Sequence, residues 1–171
     1  MFLSKGRNMY IKQPEYNELD FVQWLWADIE TMCGVGGPVC LDESEKEAWY
    51  NRMVNPTDGN NFYCLIYNNE DKPVGEVSFH RYDCLNSTAE FNIKIADKYR
   101  RNGYAKEAIT HLLLYFFNEF GGEKMIDTIA ANNLPGQTLL LKYGFKQKNQ
   151  PDKKIILVEM TKKDFSNLYM K

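Results

Sequence analysis

The sequence predicts one mixed α/β domain, residues 1–171, with a largely antiparallel first half. Three observations lead there. Aromatic and β-branched runs between residues 62 and 95 are separated only by short polar turns, as neighbouring antiparallel strands are. Ala105, Ala108, Ile109, Leu112, Leu113, Phe116 and Phe120 then recur at helical spacing and form one apolar stripe. Beyond that helix, strand-like and helix-like runs alternate to the end of the chain. At 171 residues the chain can bury one sizeable core and is short for two.

The elements follow in order. Met9 to Gln13 (MYIKQ) forms a short strand stopped by Pro14. Val22, Leu25, Trp26, Ile29 and Cys33 share one helical face, and CGVGGP ends that helix. Asp42, with Glu45 three residues on, resembles a capping box opening a second helix that carries Ala48, Trp49 and Met53; NPTDGN ends it. NFYCLIY and VGEVSFH, joined by NNEDKP, are a hairpin, and TAEFNIKI is a third neighbouring strand. DKYRRNGYAKEA leads into the long helix, which Gly121 and Gly122 stop. KMIDTIAA is a strand. NNLPGQTLLLKYGF is a short helix with Asn133 near its N-cap, Pro135 in its first turn and Gly144 just past its end. KIILVEM closes as a strand, giving a central, mostly antiparallel sheet of six to seven strands flanked by about four helices.

Composition narrows the function. Lys+Arg 21 against Asp+Glu 23 gives a net charge of -2, which removes any general electrostatic case for nucleic acid or an anionic membrane as partner. An anion site must therefore be local. Hydrophobic residues at 44% and aromatics at 14% exclude a mostly disordered chain. Cys33, Cys40, Cys64 and Cys84 form no CxxC pair and have neither His80 nor His111 at zinc spacing, so no metal is expected and the thiols are assigned to the interior. The opening MFLSKGRNMYIK is too polar for a signal peptide and no apolar run approaches membrane-spanning length, which places the protein in the cytoplasm. Homodimerisation is left open.

The stretch between the third hairpin-region strand and the long helix carries the chemistry. A helix N-terminus presents unpaired backbone N–H groups and partial positive charge, which suits a phosphate, and Gly103 allows close backbone approach. Alone, Arg-x-x-Gly-x-Ala is a weak signal that a basic turn also satisfies. In context, RRNGYA (Arg100 to Ala105), the preceding strand FNIKIADKY, and NNLPGQTLLLKYGF with Asn133 and Gly144-Phe145 resemble, in order, three motifs of the GNAT superfamily of acyl-CoA-dependent N-acetyltransferases. The likeness runs from about Glu76 to Phe145, and WADIETMCGVGGP resembles the branch of ribosomal-protein and aminoglycoside acetyltransferases.

The resemblance implies acetyl-CoA as donor and a primary amine as acceptor. It implies that Arg100, Arg101, Asn102, Gly103, Tyr104 and Ala105 wrap the pyrophosphate of coenzyme A, mainly through backbone N–H groups with arginine charge added. It also implies that the family's fourth and fifth strands splay apart, so that backbone groups near Ile93, Lys94 and Ile95 bond the pantetheine arm. Asn133 matches an asparagine that contacts that arm or nearby backbone, a role compatible with capping the next helix.

An alkyl amine of pKa about 10.4 is roughly 99.9% protonated at pH 7, so a base must free its lone pair, directly or through water. Glu90 is the first candidate, since it opens the strand where some family members carry a catalytic glutamate; it is equally a strand-end carboxylate at the surface. Glu76 and His80, four residues apart on one face of the preceding strand, are the alternatives. His111 falls in the polar sector of the long helix and is assigned to solvent. Many family members carry a tyrosine proton donor four residues before the Gly-Phe glycine; here that position is Leu140, and Tyr143 is not its equivalent. The resulting expectation is direct attack of the amine in a ternary complex. The alternative is a non-catalytic acyl-CoA-binding or interaction module.

Overall fold

A computed structural model describes residues 2–169. Its strands are β1 (Leu3–Lys5), β2 (Met9–Lys12), β3 (Phe62–Asn68), β4 (Pro73–Asp83), β5 (Thr88–Ile95), β6 (Lys124–Ala130), β7 (Lys146–Lys148) and β8 (Ile155–Thr161). Its helices are α1 (Leu19–Ala27), α2 (Ile29–Met32), α3 (Glu43–Met53), α4 (Tyr104–Tyr115), α5 (Leu134–Tyr143) and α6 (Lys162–Tyr169). Among the described residues one sheet of eight strands runs β1-β2-β3-β4-β5-β6-β8-β7, and its only parallel pair is β5 with β6.

The sheet is covered on both faces. Along β3, Phe62, Cys64 and Ile66 enter the core shared with α4, α5 and α6, while Tyr63, Leu65 and Tyr67 enter a second core under α1 and α3. This is why β3 is a continuous apolar run rather than an alternating one. On α4, Ala108, Ile109, Leu112 and Leu113 are buried, and the apolar stripe continues through a π-helical turn at Phe116–Phe120 until Gly121, at φ 94°, reverses the chain.

Among the described residues the sheet has eight strands where six to seven were expected, and there are six helices where about four were expected. β1 was missed because Ser4 and Lys5 are polar; it is an edge strand, where pairing needs no buried side chain. The first predicted helix breaks at Asp28, whose backbone turns extended (ψ 114°) while its carboxylate accepts from Thr31 N at 3.0 Å and so caps α2. The expected box at Asp42 is a simpler cap, with Ser44 N and Oγ donating to its carboxylate at 2.8 and 2.7 Å.

Two smaller expectations are corrected. Only Cys64 is buried; Cys33, Cys40 and Cys84 are exposed, because the turns that carry them lie outside both cores. His111 is half-buried rather than solvated, with Nδ1 2.6 Å from Ser4 Oγ on the edge strand that the sequence did not reveal.

Candidate active site

The site is built where two strands part. β5 and β6 pair only over Thr88, Ala89 and Glu90 against Lys124, Met125 and Ile126. Beyond that point β5 stays bonded to β4 as far as Ile95, and β6 stays bonded to β8 as far as Ala130. Each wall of the opening is therefore held from behind, while the backbone edges that face one another are unpaired.

At the wide end a cleft of about 650 Å³ is lined by Ile93, Lys94, Ile95, the loop Arg100–Ala105 and Asn133, so every residue assigned to acyl-CoA from the sequence faces one space. The chain meets it through a short 3₁₀ turn at Asp97–Tyr99. Gly103 then takes φ 83° at the N-cap of α4, a left-handed conformation that glycine adopts without penalty, and a Cβ there would meet nothing within 4 Å. The first residues of α4, Tyr104, Ala105 and Lys106, line the cleft, so the helix N-terminus opens on it. Asn102 Nδ2 donates to Tyr99 O at 2.9 Å and Arg100 O at 3.1 Å, which fixes the turn from within.

Arg100 has a different role from the one its charge suggested. Its guanidinium donates to Thr31 O at 2.9 Å and Ile95 O at 3.3 Å and sits 3.1 Å from Asp97 Oδ1, so it fastens the loop to α2 and β5. Thr31 Oγ1 also accepts from Asp97 N at 3.0 Å. This buried threonine positions the loop, and nothing in its sequence context marked it. Arg101, at φ 64° and exposed, keeps its charge beside the cleft.

Asn133 does two things at once. Its Oδ1 accepts from Gly136 N at 3.1 Å, capping α5, while the residue lines the cleft opposite Ile93.

At the narrow end a second cavity of about 570 Å³ shares Ile93, Lys94 and Asn133 with the first and adds His80, Glu90, Asn92, Asp127 and Leu140. Glu90 is half-buried, with Arg81 Nη1 2.9 Å away, and pairs across the sheet with His80. Burial pushes the His80 imidazole down to about 4 despite the opposing Glu76 charge, so it is neutral at pH 7, with Nε2 2.9 Å from Ser78 Oγ.

Glu76 does not reach this space. It is fully buried beneath the sheet, where Trp26 Nε1 donates to it at 2.8 Å, the Tyr63 hydroxyl donates to it, and Lys94 Nζ lies 2.6 Å away. Asp127, on β6, carries no motif in the sequence, where it reads as one polar position of a strand that also holds Lys124 and Thr128.

The fit to acyl-CoA is local and specific: unpaired strand edge at Ile93–Ile95, a glycine-opened helix N-terminus, and an apolar far wall with one amide side chain. Among the described residues no group of His, Cys, Asp and Glu could hold a metal ion, and no helix is long and apolar enough to cross a membrane.

Comparison with known proteins agrees with this geometry. Residues 9–146 match the family described as Acetyltransferase (GNAT) domain. The chain is 25% identical over 143 residues to YnaD of Bacillus subtilis (strain 168), an uncharacterized N-acetyltransferase, covering 82% of this chain and 81% of that one. It is 29% identical over 89 residues to YokL, a prophage-derived N-acetyltransferase of the same organism, covering 52% of this chain and 50% of that one. Among solved structures, spermidine N-acetyltransferase from Vibrio cholerae in complex with CoA and spermine superposes with a TM-score of 0.81 at 18% identity, over 92% of this chain and 98% of that one. The chain belongs to the GNAT family and is an N-acetyltransferase whose acyl donor is acetyl-CoA.

Proposed function

We propose that the protein acetylates a primary amine by direct attack within a ternary complex, with Glu90 as the base. The observation that carries this is the parting of β5 from β6 at Glu90 and Ile126, which puts a carboxylate at the apex of the cleft. When bound, acetyl-CoA supplies the activated acyl group.

The residues then have distinct tasks. Backbone N–H groups from Asn102 to Ala105 hold the pyrophosphate, with Arg101 adding charge. The free edge of β5 at Ile93 to Ile95 bonds the pantetheine arm as an added strand would, and Asn133 meets it from the far wall. A backbone N–H of β5 faces the carbonyl oxygen on which negative charge develops. Glu90 removes the amine proton, with His80 beside it as a neutral imidazole. Glu76 is left to hold Lys94 and Trp26, since its oxygens are already engaged and enclosed.

The acceptor enters from the side of α1, α2 and α3, where Glu30 and Glu43 are exposed and Asp28 is half-buried. The Vibrio cholerae neighbour was crystallised with spermine, so polyamines are the first arm of the test and amino sugars and peptide N-termini the others. Incubation with acetyl-CoA and this panel, read by product mass, should give an acetylated amine. Tight CoA binding with no acetylated product from any arm would instead favour a binding module.

A further inference from the structure

We propose that Asp127 is the proton donor to the departing thiolate, the role for which Leu140 offers no group. This rests on the acetyl-transfer reading above.

Position carries the proposal. Asp127 is the first residue of β6 beyond the last β5–β6 pair, so it stands where the cleft opens. Strand alternation turns it to the same face as Met125 and Ile129, whose core includes Leu140 from α5, whereas Glu90 and Ile126 turn to the other face. Asp127 and Leu140 line the same cavity. A tyrosine in place of Leu140 would reach the cleft from this side, and Asp127 reaches it from the neighbouring strand. The two carboxyls of the narrow end thus lie on opposite sides of it, one toward the acceptor and one toward α5.

The electrostatics fit a donor. Burial pushes the Asp127 carboxyl up to about 7, the Glu90 charge adds to this, and the Thr128 N–H and the Lys94 ammonium oppose it. The Lys94 ammonium is held at 2.6 Å by Glu76 and is not bonded to Asp127. From the other packed elements, β4 presents the neutral His80, α5 presents Leu139 and Leu140, and β8 presents Ile155. An acid near neutrality is well matched to a thiol of ordinary pKa about 8.5.

The proton count closes. The amine nitrogen bonds to the acetyl carbon as the carbon–sulfur bond breaks, leaving its electron pair on sulfur. The ammonium first loses one proton to solvent by way of Glu90; as the neutral nitrogen then bonds, Glu90 takes a second proton from it and Asp127 gives one to sulfur. Solvent returns the proton from Glu90 to Asp127, and the products are an amide and a thiol.

Asp127→Asn keeps the shape and removes the proton. Its kcat should fall by about 10²-fold, the lower end for loss of an acid–base group because a thiolate leaves well unaided. The descending limb of the parental pH profile near 7 should disappear with it. Independently of turnover, the Asp127 carboxyl carbon-13 signal should titrate near 7 in the free protein. Its midpoint should move on binding CoA and stay in place on binding desulfo-CoA, which lacks the sulfur. Asp127→Ser serves if the asparagine variant does not fold. Parental turnover in these variants, a midpoint in the ordinary carboxylate range, or equal response to the two ligands overturns the proposal alone. A parent that binds CoA and acetylates no amine overturns the transfer reading and this proposal together.

Discussion

Lys94 Nζ lies 2.6 Å from Glu76 Oε1, across a register pair that joins β5 to β4. Glu76 is fully buried and the Lys94 side chain is 11% exposed, so this is an interior ion pair beside the cleft. Tyr63 and Trp26 complete the coordination of the carboxylate, tying α1, β3, β4 and β5 together. The free edge of β5 is held straight from behind by this cluster.

Removing one partner of that pair strands the other. Glu76→Gln should lower stability by about 3–5 kcal/mol, read as a shifted urea midpoint, because it leaves the Lys94 ammonium without its anion. Lys94→Met added to Glu76→Gln should recover part of the loss. A single variant as stable as the parent would show that the pair contributes nothing to the fold.

The loop is tested by charge and conformation separately. Acetyl-CoA should raise Tm, since a ligand held only by the native state stabilises it. Gly103→Asp should abolish the shift, by placing a negative charge against the pyrophosphate. Gly103→Asn tolerates φ 83° without the charge and should keep part of the shift. An aspartate variant that folds and binds as tightly as the parent would remove the loop from the site.

Glu90→Gln should leave acetyl-CoA affinity unchanged and lower turnover by about 10²–10⁴ at neutral pH. The deficit should shrink as pH rises, because more of the amine then arrives neutral and needs no base. A deficit that is constant with pH would make Glu90 a structural residue.

Stability should vary little with pH between 4.5 and 6.5 because shifts of opposite sign act there. The His80 pKa falls from 6.5 to about 4 on folding, so the unfolded chain binds more protons and stability drops as pH falls through this window. His111, lowered by burial, acts in the same sense. The Asp127 pKa rises from 3.8 to about 7, so the folded chain binds more protons and stability drops as pH rises. Asp127→Asn should therefore become steadily less stable on acidification across the window, whereas His80→Gln should become more stable. Denaturant melts at stepped pH decide this, and parallel slopes in the two variants would contradict the assigned burial.

Much of the fold was legible because its signals are local. The stripe from Ala105 to Phe120 needs only helical spacing, and the hairpins of β3, β4 and β5 need only apolar runs with polar turns between them. The edge strand β1 and the break at Asp28 were less legible, since edge pairing demands no apolar side chain and a single cap can divide a periodic run.

Around the cleft, the turn at Arg100–Ala105 and the cap at Asn133 were readable from the chain alone, because glycine conformation and capping are properties of contiguous residues. Which carboxylates face the cleft follows from long-range packing. Glu76, Glu90 and Asp127 are alike as residues in strands, yet one is enclosed beneath the sheet, one stands at the apex and one opposes it from β6. That difference is set by where β5 parts from β6 and by which face each residue takes, and both depend on pairing between segments more than thirty residues apart. Desolvation acts through the same distant packing, so the charge state of His80 and Asp127 follows from the folded surroundings and from nothing in their sequence neighbours.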